Sequence, residues 1–318
     1  MYNRIAANIR RSWMLILGFS GFVVAIGFVF GYVTHTGFWG VGVAAVFAIF
    51  MTWGSYFSSA KIALSMSHAR PADETEYKQL HNIVEALSLA AGIPKPRVYI
   101  VDDPAPNAFA TGRNPEHAAI AVTTGLLGKM DRDELEGVLA HELSHVKNRD
   151  TLVMALAVTL VGVIVLLADW LLRALWWGGF GGDDGDGNNP AGAIFAVAGI
   201  VLLLVSPLIA QLMQFAISRR REYLADIDGA FLTRYPDGLI HALQKLDEDP
   251  TVVRTASRAT AHLWIESPIA RQANGRASKR GAWLNRMFDT HPPLQDRIRA
   301  LEEAEAGGKL PEDATPRA

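Results

Sequence analysis

Apolar and polar positions divide the chain into blocks before any motif is considered. Trp13 to Val33 (WMLILGFSGFVVAIGFVFGYV) and Gly37 to Phe57 (GFWGVGVAAVFAIFMTWGSYF) carry no charged residue, and each is about the length of a helix that spans a bilayer. Only Thr34-His35-Thr36 separates them, so the pair reads as a helical hairpin. The first run is longer than the apolar core of a secretory signal, and no small-residue cleavage site closes it. It therefore reads as a retained anchor. A third run, Leu152 to Ala168, continues through Asp169 and Arg173 to Trp177; a fourth extends from Ala191 to Ile217. Pro207 in the fourth is tolerated in a membrane helix, and Asp169 and Arg173, four apart, can pair on one helical face. For these last two runs, buried core helices of a globular domain are the other reading.

Lys and Arg give the pairs a direction. Arg4, Arg10 and Arg11 precede the first run, Lys61 and Arg70 follow the second, Lys147 and Arg149 precede the third, and Arg219, Arg220 and Arg221 follow the fourth. The two opposite loops, one of them the acidic, glycine-rich GGFGGDDGDGNNP, hold neither residue type. The positive-inside rule places both termini and the large polar regions in the cytoplasm.

The polar regions have helix and strand periods of their own. Ala72 to Ala91 has Leu80, Ile83, Val84 and Leu87 at helical spacing and is stopped by Gly92 and two prolines. RVYIV (97–101), AAIAVT (118–123) and NAFATG (107–112) read as strand and turn elements. Asp131 to Asn148 reads as a helix opened by a capping box between Asp131 and Glu134. Helices are also expected at Arg219–Arg234, Leu239–Leu246 and from Thr290, with Leu294, Ile298 and Leu301 on one face. The expected blocks are a membrane hairpin at 1–57, a first polar part at 58–150, a second hairpin at 151–217, a second polar part at 218–304 and a disordered tail at 305–318.

Composition then narrows the classes. Of 318 residues, 50% are hydrophobic and 19% charged, with mean hydropathy +0.16. That is too apolar for an ordinary soluble enzyme and too polar for a protein that is all membrane. The net charge is −2 without a concentrated basic face, which argues against a nucleic-acid partner. Absence of cysteine removes disulfides, thiolate nucleophiles and thiolate metal ligands.

The chemistry concentrates in His141-Glu142-Leu143-Ser144-His145. Histidines four apart share a helical face, so both imidazoles can reach one ion. Zinc suits two nitrogens with a carboxylate and keeps one position for water; Glu142 is placed to take that water's proton and pass it to a leaving amine. The sequence after His145 lacks the glycine and third histidine of the metzincin pattern. Glu134, two turns upstream, is too far along the helix to share the ion. The attractive third ligand is Glu222, with Asp226 four residues on to hold an imidazole N–H from outside. Glu222 could instead only balance the preceding arginines. His291 either donates to a tetrahedral oxyanion or caps the C-terminal helix. Asn107, Ala108 and Phe109 belong either to an edge strand that pairs with an extended substrate or to a simple turn. His35, His68, His81, His117, His241 and His262 read as positions without metal. The irregular stretch Arg254–Arg286 is a candidate lid.

The motifs NAFATG, VTTGLL, AHELSHVKNRD, RRREYLADIDGA, AHLWIESP and THPPLQDRI, together with the anchor hairpin, resemble the HtpX family of bacterial membrane-bound zinc endopeptidases, relatives of the CAAX prenyl peptidases. The resemblance covers nearly the whole chain. It implies zinc ligands at His141, His145 and Glu222, a general base at Glu142, a supporting Asp226, and substrate pairing along Asn107–Phe109. It also implies a multi-pass protein of the bacterial inner membrane with a cytoplasmic site, cleaving misfolded or damaged membrane proteins alongside an ATP-dependent membrane protease. The fold class expected is α+β and mainly helical: four transmembrane helices and a cytoplasmic gluzincin-type zinc peptidase domain with a small sheet. A prenyl-peptide processing protease and a non-catalytic zinc-binding membrane adaptor are the competing readings.

Overall fold

The computed structural model describes residues 2–33, 38–154, 156, 219–254, 263–266 and 292–307. Apart from the first few residues of the third, the third and fourth apolar runs lie outside these, as do the acidic loop, most of 254–286, His291 and the tail from 308. The chain divides into two units, one of Met1–Ile9, Ser59–Ala155 and Ala216–Ala318, the other of Arg10–Ser58 and Leu156–Phe215.

Two long helices, α1 (Tyr2–Val33) and α2 (Phe38–Met66), run through the first charge-free stretch and, from Phe38 on, the second. On α1, Leu15, Phe19 and Val23 recur every four residues and are buried, while Trp13, Met14, Leu17 and Phe28 are exposed. On α2, Phe38, Trp39, Val43, Phe50 and Trp53 are exposed. Taken over the residues whose side chains are described, no helix presents an unbroken apolar stretch long enough to cross a membrane.

The other unit is built on a four-stranded sheet of order β1 (Arg70–Pro71), β2 (Arg97–Val101), β4 (Ala119–Thr123) and β3 (Ala108–Thr111). β2 and β4 are parallel; β1 and β3 run antiparallel to their neighbours. Alternate residues Val98, Ile100, Ile120 and Val122 turn one face of the sheet into the core. Against that core pack α3 (Lys78–Ala91) and α5 (Arg132–Lys147); a short α4 (Thr124–Lys129) follows β4. α6 (Arg219–Thr233), α7 (Pro236–Glu248) and α8 (Leu294–Glu305) belong to the same unit.

Two helix starts differ from the periodicity. α3 begins at Lys78 rather than Ala72, because Ala72 donates its N–H to Val98 and the Asp73 carboxylate accepts from the N–H groups of Thr75 and Glu76, folding a turn. α8 begins at Leu294 rather than Thr290, because a residue that precedes proline disfavours helix and Pro293 is itself extended at ψ 138°.

α5 is the central element. Its capping box is complete: Asp131 accepts from the Glu134 N–H, and Glu134 accepts from the Asp131 N–H. Every residue from Leu135 to Val146 except Glu136 is buried. Such a helix needs small residues where neighbours cross it. A Cβ at Gly137 would stand 2.6 Å from the Leu239 nitrogen of α7, and one at Gly229 on α6 would stand 2.9 Å from the His141 nitrogen. Backbone therefore meets backbone at the turn that carries the first histidine.

Candidate metal centre

The α5 periodicity places His141 and His145 one above the other, with their Nε2 atoms 3.2 Å apart and their rings perpendicular. α6, held close by Gly229, brings Glu222 up to both: Oε2 lies 3.8 Å from His141 Nε2 and Oε1 lies 3.5 Å from His145 Nε2. The three ligand atoms all lie within 4.8 Å of one another, and all three residues are buried. Two inward-facing imidazole nitrogens and a carboxylate are the donor set that suits zinc with one position left for water.

Each ring is held from behind. Asp226 Oδ1 lies 2.9 Å from His141 Nδ1, and Asp150 Oδ2 lies 3.2 Å from His145 Nδ1. A carboxylate on Nδ1 fixes the tautomer that leaves the Nε2 lone pair free for an ion. Asp226 is in turn gripped by Arg297 of α8, Nε to Oδ2 at 2.9 Å and Nη2 to Oδ1 at 2.5 Å. Arg297 is wholly buried and also donates to the Ile265 carbonyl at 3.0 Å.

Charge balance supplies a test of whether a cation belongs here. Glu142, Asp150, Glu222 and Asp226 are buried carboxylates, against the two buried guanidiniums of Arg221 and Arg297. These charges and their burial act on the protons of the site. Burial, with the Glu222 charge behind it, pushes Glu142 up to about 7. Burial opposes a charged His145, but its bond to Asp150 and the charges of Glu222 and Asp150 prevail and raise it to about 9. His141 is lowered to about 4 by burial and by the Arg297 charge, so it stays a neutral donor. A divalent cation supplies the two positive charges that the pocket lacks.

Glu142 follows His141 on α5 and is buried, with its carboxylate hydrogen-bonded to the Ala110 backbone. That contact comes from the edge strand, since β3 pairs with β4 alone. Asn107, Ala108 and Phe109 are all buried there. The Asn107 side chain donates to the Glu266 carbonyl at 2.9 Å, Ala108 accepts from the Ile265 N–H at 2.9 Å, and Phe109 meets Trp264 edge-on at 4.7 Å. Residues 263–266 thus already lie along the outer edge of β3 at Ala108. His291 is outside the described residues. Of the remaining histidines, His68, His117 and His241 are exposed, His81 is buried against the Ala72 carbonyl, and His35 and His262 are not among those described.

The sequence reading does not single out Asp150 or Arg297. A signal exists for the second: Arg297 interrupts the Leu294, Ile298, Leu301 face of its helix, and a charge on an apolar stripe calls for a buried partner. Asp150 carries no comparable mark.

The crossing at Gly229 gives an expected result. Gly229→Ala should force α6 away from α5, draw Glu222 off the histidines and cost about 1–3 kcal/mol of stability. Melting temperature and metal titration should both fall. Gly128→Ala, where an added Cβ meets nothing within 4 Å, is the control that should leave metal binding unchanged.

Known proteins resemble this chain. Residues 74–305 match the model of peptidase family M48. The protease HtpX homolog of Caldanaerobacter subterraneus subsp. tengcongensis is 43% identical over 302 residues, covering 95% of this chain and 97% of that one. The protease HtpX homolog of Thermoanaerobacter pseudethanolicus is 44% identical over 302 residues with the same coverage. Among solved structures, S. mikatae Ste24p aligns with TM-score 0.48 and 19% identity, covering 95% of this chain and 66% of that chain.

Proposed function

This chain belongs to peptidase family M48, and on that premise we propose that it is a membrane-anchored zinc endopeptidase whose metal is held by His141, His145 and Glu222. It is a metalloprotease, and its substrates are polypeptides. The observation that carries the finer reading is the buried trio itself, with the Nε2 atoms of two carboxylate-backed histidines facing one glutamate. A zinc ion held by these three residues would supply Lewis acidity to a peptide carbonyl and lower the pKa of a water to about 7. Glu142 would act as the base that takes a proton from the attacking water and returns it to the amine nitrogen as the C–N bond breaks. Asp226 and Asp150 hold the two imidazoles in their ligating tautomers throughout. β3 offers its outer edge beyond Ala108 to an extended substrate, with Asn107, Ala108 and Phe109 shaping that edge.

The membrane part of the reading draws on α1 and α2. Their continuous helices carry the first two charge-free runs, and apolar side chains such as Trp13, Leu17, Trp39 and Phe50 are exposed. Lys and Arg flanking all four runs on one side support a multi-pass protein of the bacterial inner membrane with both termini and the metal site cytoplasmic. A membrane-embedded protease of this family then has damaged or misfolded membrane proteins as its nearest substrates, with an ATP-dependent membrane protease as its functional neighbour.

The test is hydrolysis of an unfolded model protein by the full chain purified in detergent. Chelation should abolish cleavage and added zinc should restore it. Cleavage indifferent to chelation would overturn the metal centre, and cleavage restored by other divalent ions but not by zinc would overturn the choice of metal.

A further inference from the structure

The second histidine is backed by Asp150, and Asp150 is in turn held by a residue near the very start of the chain. Asn8 lies on α1 and is buried, with 4% of its surface exposed. Its amide nitrogen donates to Asp150 Oδ1 at 2.7 Å and to the Asn148 carbonyl at 2.8 Å. Both neighbours are acceptors, so the NH₂ end of the side chain is the end that must face them. The two contacts do different things. One closes a carbonyl at the C-terminal end of α5, where helices leave such groups unsatisfied. The other fixes one carboxylate oxygen of Asp150 while the opposite oxygen, Oδ2, faces the His145 Nδ1 at 3.2 Å.

We propose that Asn8 is a positioning residue of the metal centre, acting through Asp150 on His145. Arg221 Nε stands 3.9 Å from the same Asp150 oxygen, beyond hydrogen-bond reach; the shorter Asn8 bond anchors that oxygen, so the ring's plane and tautomer are set before an ion is bound. Partners that orient a ligating imidazole are worth about 10–100-fold in metal affinity, and a residue one bond further out belongs at the lower end of that range. Asn8 sits five residues before Trp13 on the same continuous helix. The helix that begins the first apolar run thus also supplies part of the site's support. The inference rests on the metal-centre reading above.

The experiment is zinc competition against a fluorescent chelator, using the full chain in detergent, for wild type, Asn8→Ala, Asn8→Asp, Asp150→Asn and the double variant Asn8→Ala/Asp150→Asn. Asn8→Ala should bind zinc about 10-fold more weakly than wild type. Asn8→Asp keeps the volume but removes both donors and sets an acceptor against two acceptors, so it should lose at least as much. In the Asp150→Asn background, Asn8→Ala should add little, because the group it acts through is already altered. Excess zinc should restore cleavage by Asn8→Ala. Wild-type affinity in Asn8→Asp would overturn the proposal in favour of simple space filling. Fully additive losses in the double variant would also overturn it, since Asn8 would then act by a route other than Asp150. His145→Ala separates the two levels. If it binds zinc as well as wild type, the metal centre itself is wrong; if it loses zinc while the Asn8 variants do not, only the positioning role fails.

Discussion

Glu142→Gln is expected to retain the metal and to lose peptide hydrolysis by about 10²–10⁴-fold, the range that a positioned general base contributes. Gln keeps the shape of Glu and can still face the Ala110 backbone that the carboxylate meets, but it cannot take a proton from water. The ligands His141, His145 and Glu222 are untouched, so zinc content and chelator resistance should equal those of wild type. This separation of binding from turnover gives the variant its force. A Glu142→Gln protein that cleaves an unfolded substrate at the wild-type rate would remove Glu142 from the mechanism. One that loses zinc along with activity would show that the carboxylate is needed for the metal itself.

The second large effect is on stability and concerns Arg297. The guanidinium is wholly buried, and it makes two hydrogen bonds to Asp226 and one to the Ile265 carbonyl. Burial would favour its neutral form, but the adjacent Asp226 holds it charged. Asp226 is likewise kept ionised against burial by that guanidinium. Arg297→Met removes the positive partner and leaves a carboxylate buried beside His141. Breaking a buried pair from one side costs about 3–5 kcal/mol, read as a lowered melting temperature in detergent. Arg297→Lys should recover only part of this, because an ammonium cannot make the two parallel bonds. Removing both charges, in Arg297→Met with Asp226→Asn, should cost less than Arg297→Met alone. If the double variant is the less stable, the pair is not what holds α8 to α6.

Much of the candidate site is legible before the fold. H-E-x-x-H places two histidines on one face by helical period alone, and the spacing of Asp131 and Glu134 marks where that helix begins. Glu222 and Asp226 can be paired by the same period. Local rules reach about one helical turn, so they cannot reveal that Arg297 bridges to a carboxylate 71 residues earlier, or that Asn8 meets Asp150 across 142 positions. The starts of α3 and α8 depart from the sequence reading for a related reason. An Asp side chain competing for backbone N–H groups and a pair of prolines decide them, while the apolar periodicity that marks each helix begins later. The strands at 97–101 and 119–123 are readable and an edge strand at Asn107–Phe109 is one of two readings, but the parallel pairing of β2 with β4 depends on tertiary arrangement that no run of residues encodes locally.

The contact between Gly229 and the His141 backbone bears on the acidic, glycine-rich loop that lies between α5 and α6 in sequence. The distance between the two histidines and Glu222 is set by a mechanical stop, the point at which two main chains can come no closer. It is not set by the length of chain that joins them. Residues inserted into or deleted from the acidic, glycine-rich loop, well past Asp150 in sequence, should not be felt at the ion so long as the stop is intact. A single methyl group at position 229 should disturb the site more than a change of several residues in the acidic, glycine-rich loop.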